Sequence, residues 1–243
     1  MKENTIAVII PTYNEADNIT LTIENILTLG GNFFILVIDD NSPDGTSLIV
    51  RKLKEKYANL DLIVTTRRLG FRNAYQEGFK YAFTKGYDIV IQMDADLSHP
   101  YTSIPLMIEL LDEYDLIIGS RYIKGARIYD CSLARRLLSW MANIFARLIL
   151  GLSVKDSTSG FRCIKRSALE KIDFDVISSQ GFFFNTEMLM QLFLKKAKII
   201  EYPIDFQGRH RGKSKMSLFI IFESFLKVIL FGVKRIFKKC CFQ

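Results

Sequence analysis

Phe34-Ile35-Leu36-Val37-Ile38-Asp39-Asp40-Asn41-Ser42-Pro43-Asp44-Gly45-Thr46 is the stretch on which the fold turns. Five apolar residues, too few for a helix, run into two acids and then into turn-forming Asn, Ser, Pro, Asp and Gly. The run does not alternate with polar residues, so it predicts a strand covered on both faces, as in a parallel sheet. Asp44 or Thr46 can cap a following helix, and a helical pattern runs from Thr46 to Tyr57.

The same unit recurs on either side. Ile6 to Ile10 ends at Pro11-Thr12-Tyr13-Asn14-Glu15, with Asn14 as expected N-cap of a helix over 15–29. Leu62-Ile63-Val64, Ile89-Val90-Ile91 and Leu116-Ile117-Ile118 are further strand runs, with helices predicted over 73–85 and 102–113. The second half predicts helices over 132–150, 185–196 and 216–239, and a short strand over 198–203. Strand and helix alternating at this spacing make a doubly wound α/β layer with a mostly parallel central sheet. Ligands of such sheets bind beyond the carboxyl ends of the strands.

Candidate chemistry therefore follows the apolar runs. Met93-Asp94-Ala95-Asp96 sets two carboxylates one residue apart just past a strand, an oxygen-only pair suited to Mg2+ or Mn2+ carrying a diphosphate. Turn chemistry accounts for Pro43 to Thr46 but not for the paired acids Asp39-Asp40; an acid at that place takes hydrogen bonds from a ribose or base. For Tyr13 and Glu15, base-holding and helix-start roles both remain open.

Charge narrows the partners. The chain of 243 residues carries 33 Lys and Arg against 26 Asp and Glu, a net +7, with the 49% apolar and 24% charged content of a globular protein. Between Gln207 and Lys239, nine basic residues against Glu223 alone make +8, leaving −1 for all the rest. A near-neutral body argues against a nucleic-acid binder. Cys131, Cys163, Cys240 and Cys241 form no C-x-x-C pair, so a zinc site is not expected and a reduced, cytosolic setting is. No signal peptide is expected ahead of the first strand.

The motifs Ile9 to Glu15, Asp39 to Thr46 and Met93-Asp94-Ala95-Asp96-Leu97-Ser98-His99-Pro100 resemble the inverting nucleotide-sugar glycosyltransferases of the GT-A, Rossmann-like type. More narrowly the chain resembles the polyprenyl-phosphate (dolichyl-phosphate) mannosyltransferases, through Gly119-Ser120-Arg121-Tyr122, Thr158-Ser159-Gly160-Phe161-Arg162 and Arg209-His210-Arg211-Gly212-Lys213-Ser214-Lys215-Met216. The resemblance spans roughly 5 to 217 and implies a sugar moved from a nucleotide sugar to a polyprenyl or dolichyl phosphate. It favours mannose from GDP-mannose, with glucose or another hexose from a UDP-sugar as the alternative; a non-catalytic nucleotide-sugar-binding subunit is the reading outside enzymes. Pro11, Tyr13, Glu15, Ile38 and Asp40 would contact the nucleoside. Asp94, Ala95 and Asp96 would hold the diphosphate and the metal, Mg2+ or Mn2+. Asp96, Arg121, Arg209 and Lys215 are the implied catalytic set, with Arg135 and Ser139, beside Arg136, at the acceptor phosphate. The nucleophile, a phosphate monoester largely anionic at neutral pH, needs no general base, and Glu187 is left a structural or acceptor-side role. Arg72 stands where the family commonly has a small residue, so the nucleotide is expected to sit differently at that edge. His99 is expected to pack or to cap the following helix.

A lipid acceptor requires access to a bilayer, yet no uncharged apolar run of about 18 residues occurs. The expected division is a catalytic domain over 1–215 and a basic amphipathic tail over 216–243, lying on the cytoplasmic face of a membrane, with packing on the domain or on a membrane-bound partner subunit, and a true span, as the alternatives. The terminal Cys240-Cys241-Phe242-Gln243 fits a prenylation pattern only formally, and lipidation of Cys240 is not expected.

Overall fold

The computed structural model describes residues 4–179, 181, 183–208 and 226–232; Arg209, Lys215 and most of the expected 216–239 helix lie outside them. The strands are β1 (Ile6–Thr12), β2 (Phe33–Asp39), β3 (Leu60–Val64), β4 (Ile89–Gln92), β5 (Leu116–Ser120), β6 (Arg127–Tyr129), β7 (Arg162–Lys165), β8 (Ile199–Pro203) and β9 (Asp205–Gln207). Between them run α1 (Ile19–Leu27), α2 (Thr46–Lys56), α3 (Phe71–Lys85), α4 (Ile104–Glu109), α5 (Leu133–Leu150), α6 (Arg166–Leu169) and α7 (Phe183–Leu194).

Seven strands form one sheet in the order β3-β2-β1-β4-β7-β5-β8, and β6 pairs with β9 in a small second sheet. Every pairing in the large sheet is parallel except those of β7, which runs antiparallel to β4 and β5. The chain passes from β1 to β2 on one side and returns to β4 on the other. This reversal opens the crevice where doubly wound sheets bind ligands.

Period-two alternation divides the core between the sheet's faces. Ala7, Ile9, Leu36 and Ile38 point to one face, packed with Tyr75, Phe79 and Phe184. Ile6, Val8, Ile10, Ile35 and Val37 point to the other, packed with Ile19, Ile23 and Ile104. Helix α3 lies so close to β1 and β2 that a Cβ on Gly78 would stand 2.6 Å from Ile9 Cγ2 and 2.9 Å from Ile38 Cδ1.

Two expected helices change shape. The helix expected from Glu15 begins at Ile19, because Ser42 Oγ, Thr46 Oγ1 and Asp44 Oδ2 accept the backbone N–H groups of Asn14, Glu15 and Ala16. Asn14, expected as an N-cap, sits in a turn at φ 55°. The helix expected over 102–113 divides into α4 between two 3-10 turns, the first of them where Pro105 has no N–H to bond back to Tyr101. Helix α5 is capped by Ser132, which accepts from Arg135 N, and ends at left-handed Gly151. Residues 226–232, inside the expected tail helix, are helical; Val228 is buried in the core, and a Cβ on Gly232 would run into Ile149 of α5.

Candidate active site

A cleft of about 680 Å³ opens at the carboxyl ends of β1, β2, β4 and β5. Pro11, Tyr13, Glu15 and Asp40 line one end, joined by Arg68, whose guanidinium lies 4.0 Å from the centre of the Tyr13 ring. Asp40 also holds the wall in place. Its Oδ1 accepts from Leu69 N at 2.6 Å and Thr65 Oγ1 at 3.2 Å, and its Oδ2 accepts from Gly70 N at 2.8 Å. A carboxylate has about four acceptor positions, so roughly one remains for a ligand. Asp39 is turned to structure, accepting from Thr12 Oγ1, Ser42 N and Ser42 Oγ.

Of the five residues expected around a nucleoside, Ile38 alone does not line the cleft; its side chain is in the core beneath Gly78. Arg72 is also turned away, donating from Nη1 to Ile177 O at 2.7 Å. The residue whose type departs from the resemblance therefore braces a loop, and Arg68 is the cation at that edge.

Asp94, Ala95 and Asp96 line the floor. Their turn is anchored by Thr22 Oγ1 donating to Ala95 O and by Ser98 N donating to Asp96 Oδ1. His99 packs face to face on Phe161, with centroids 5.1 Å apart, and its Nδ1 accepts from Asp94 N at 3.1 Å. With Nδ1 accepting, Nε2 is the ring nitrogen left to donate, 3.9 Å from Asp94 Oδ2. Among the described residues no three His, Cys, Asp or Glu side chains gather as a metal cage. The donor set is a carboxylate pair, which suits a hard cation that keeps waters and substrate phosphate oxygens as its other ligands.

Arg121, Arg135, Arg136 and Ser139 line the cleft beyond this floor. Arg121 meets Asp156 in a bidentate pair, Nε to Oδ2 and Nη2 to Oδ1, both at 2.7 Å. Burial opposes the charge on each partner, but their attraction outweighs it: Asp156 is held below the usual carboxylate range and Arg121 raised further. Buried Glu187 accepts from Ser178 N, Ser178 Oγ and Ser179 N, a structural task at the loop leading to Gly181 in the cleft wall.

Leu138, Met141, Ala142 and Phe145 of α5, with Phe183 and Val228, make the far end of the cleft apolar. The outer side of α5 is apolar too: Leu133 is 82% exposed and Leu148 69%, and Leu137, Trp140 and Met141 are exposed between them. Leu226, Ile229 and Leu230 are exposed too, in the segment whose Gly232 lies against Ile149 of α5. Among the described residues no helix is long and apolar enough to cross a membrane.

Sequence reasoning missed Arg68, Asp156 and the apolar end. Arg68 was visible inside the unusual Arg67-Arg68-Leu69-Gly70 turn, and Asp156 lies two residues before Thr158-Ser159-Gly160; only folding brings the apolar end together.

The sequence model described as glycosyl transferase family 2 matches residues 7–173. This chain is a family 2 glycosyltransferase. The matched stretch takes in the cleft from Pro11 to Gly160, whereas Phe183, Phe206 and Val228 come from beyond it. An undecaprenyl-phosphate mannosyltransferase of Micrococcus luteus is 34% identical over 225 residues, 93% of this chain and 93% of its own. Among solved structures, the glucosyl-3-phosphoglycerate synthase of Mycobacterium tuberculosis with Mn2+, UDP and glucosyl-3-phosphoglycerate is similar to this transferase at a TM-score of 0.68 and 19% identity, over 94% of this chain and 80% of that one. A mannosyltransferase of Pyrobaculum calidifontis with GDP-Man and Mn2+ gives 0.60 and 18%, over 88% and 59%. At these identities the structural likeness establishes the shared α/β fold of the transferase.

Proposed function

We propose that this transferase moves a mannosyl group from GDP-mannose to the phosphate of a polyprenyl lipid, with inversion at the anomeric carbon. The observation that carries this reading is the cleft's two-ended character. The carboxylate turn with Pro11, Tyr13, Glu15 and Asp40 lines one part, and the apolar surface of α5, Phe183 and Val228 another. A sugar diphosphate suits the first end and an isoprenoid the second. The reading agrees with the name of the Micrococcus relative.

Pro11, Tyr13, Glu15 and Asp40, aided by Arg68, hold the nucleoside. Asp94 and Asp96 hold a divalent cation, Mg2+ or Mn2+, beside the diphosphate, and Ala95 lies between them. The cation supplies positive charge against the leaving diphosphate. Arg121 faces the phosphates, with Arg209 and Lys215 assigned to the same task on the sequence resemblance alone. Arg135 and Ser139 receive the acceptor phosphate. An acceptor phosphate oxygen forms the new bond to the anomeric carbon as the bond to the diphosphate breaks and GDP leaves with the electron pair. A phosphate monoester has a second pKa near 6, so no proton has to be removed, and Glu187 is left to its loop. The protein's work is to bring two anions together and neutralise them.

Membrane contact belongs to α5 and 226–232 together with the basic segment that follows. The catalytic domain runs to about 215, and the basic amphipathic tail from 216 also lends Val228 to the cleft wall. Purified protein given Mn2+ or Mg2+, a short polyprenyl phosphate and a panel of labelled sugar nucleotides tests the reading. GDP-mannose is expected to give lipid-extractable label that Asp96→Ala abolishes. Label from UDP-glucose in preference would replace the donor, and no label from any donor would remove the enzyme reading.

A further inference from the structure

Arg121 is the cleft cation with the most constrained surroundings. Asp156 accepts from its backbone N at 3.0 Å as well as from Nε and Nη2, and Thr158 Oγ1 accepts a further bond from Nη2 at 3.0 Å. The guanidinium carbon also lies 5.3 Å from the ring centres of both Tyr122 and Phe206. Of its side-chain nitrogens Nη1 alone has no hydrogen bond among the described residues, and Arg121 lines the cleft with Asp94. The open edge of Arg121 therefore belongs to the cleft.

Asp156 is itself fixed before any ligand arrives. It is fully buried, and its N–H donates to Glu201 Oε1 at 2.9 Å, while Lys155 N donates to Glu201 Oε2. The next residues are held from the other side: Asn143 Oδ1 accepts from Ser157 N and Oγ, and the buried Arg162 donates to the carbonyls of Ser157 and Ser159. An apolar pair of similar volume would often stabilise a fold as well as a buried ion pair does. The carboxylate also offsets part of the positive charge Arg121 presents to an anion. What it adds is direction, because a planar fork held at two nitrogens cannot rotate.

We propose that Asp156 is a positioning residue for sugar transfer: it aims Nη1 of Arg121 at the phosphate in the cleft, and it acts on the reaction only through Arg121. This rests on the reading of Arg121 as a phosphate-facing cation.

A kinetic double-mutant cycle on the full chain tests it, with GDP-mannose and a short polyprenyl phosphate. Asp156→Asn keeps the side-chain volume but loses the charge and one of the two guanidinium bonds. Its kcat is expected to fall about tenfold to a hundredfold, the scale of a misplaced catalytic group, with the donor KM changed by less than about threefold. In an Arg121→Gln background the same change is expected to lower kcat by no more than about twofold. Thr158→Val, which removes only the hydroxyl, is the gentler variant should Asp156→Asn not fold; its smaller loss must likewise vanish with Arg121→Gln. Equal losses in both backgrounds, or an unchanged kcat, would overturn the positioning role while leaving the transferase reading intact. A wild-type protein that transfers no sugar to lipid would overturn both.

Discussion

Asp40 and Arg68 face the same end of the cleft and differ in what each holds. Asp40 receives two backbone N–H groups of the turn that leads into α3, so losing its carboxylate leaves those donors unsatisfied in a buried wall. Asp40→Ala is therefore expected to lower stability by about 1–3 kcal/mol and to raise the donor KM, measured by thermal melting and initial rates. Arg68 is exposed and bonded chiefly to the face of Tyr13. Arg68→Ala should raise the donor KM severalfold and leave the melting temperature within about a degree, since surface substitutions stay within about 0.5 kcal/mol. A KM unchanged in Arg68→Ala would remove it from the nucleoside end. The two residues were not equally legible in the sequence. The paired acids after an apolar run are a chemical signature wherever they occur, whereas a guanidinium on a tyrosine ring depends on two loops meeting.

At the scale of elements, the parallel strands and their helices were legible because each strand is an unbroken apolar run ended by turn residues. Strand β7 was not. It is four residues long, begins with a guanidinium, and hides that charge by donating to the carbonyls of Ser157, Ser159 and Asn185. Burial lowers Arg162 to about 10, which leaves it charged at neutral pH. Because β7 is antiparallel, the residues before it reach the cleft, which reverses the rule that site residues follow apolar runs and accounts for the missed Asp156. Helix α5 was legible as amphipathic, but its pattern could not say which side faces out. Asn143 turns inward to Ser157 and Thr158, and Leu133, Leu137 and Leu148 turn outward. With Arg135 and Arg136 beside that face, an anionic lipid surface matches it in both hydrophobicity and charge. Trp140→Ser is expected to weaken co-sedimentation with phosphatidylglycerol vesicles about tenfold, the loss of one partly inserted aromatic side chain, and to leave turnover of a short soluble acceptor unchanged. Undiminished vesicle binding would assign the face to something other than lipid.

At the scale of the whole molecule, three carboxylates among the described residues are held below their ordinary range despite burial pushing the other way. The Thr46 hydroxyl and nearby backbone N–H groups stabilise ionised Asp44, Lys54 stabilises Asp61, and Arg121 stabilises Asp156. Each has a folded-state pKa below its unfolded value near 3.9. Their stabilisation is therefore fully present above about pH 4–5 and is lost as pH falls through the folded values. Melting temperature is expected to be level with respect to these groups from pH 7 to 5 and to drop toward pH 3. Asp156→Asn should start lower and drop less, and an acid limb as steep as the wild type would mean Asp156 does not contribute.

The place of β7 in the sheet also sets an order of assembly. Strands β3, β2, β1 and β4 come from the first 92 residues and pair with one another, β4 leaving its other edge to β7. Among the described residues, strands β5 and β8 join the ladder of that half only through β7, which is synthesised some seventy residues after β4 and enters between strands already made. A chain emerging from the ribosome can complete the nucleoside half early, but its two halves stay unjoined until residue 165 is available. The insertion that joins them also carries Asp156 and Thr158 to Arg121, so the phosphate-facing end of the cleft is created in the same folding event that closes the sheet.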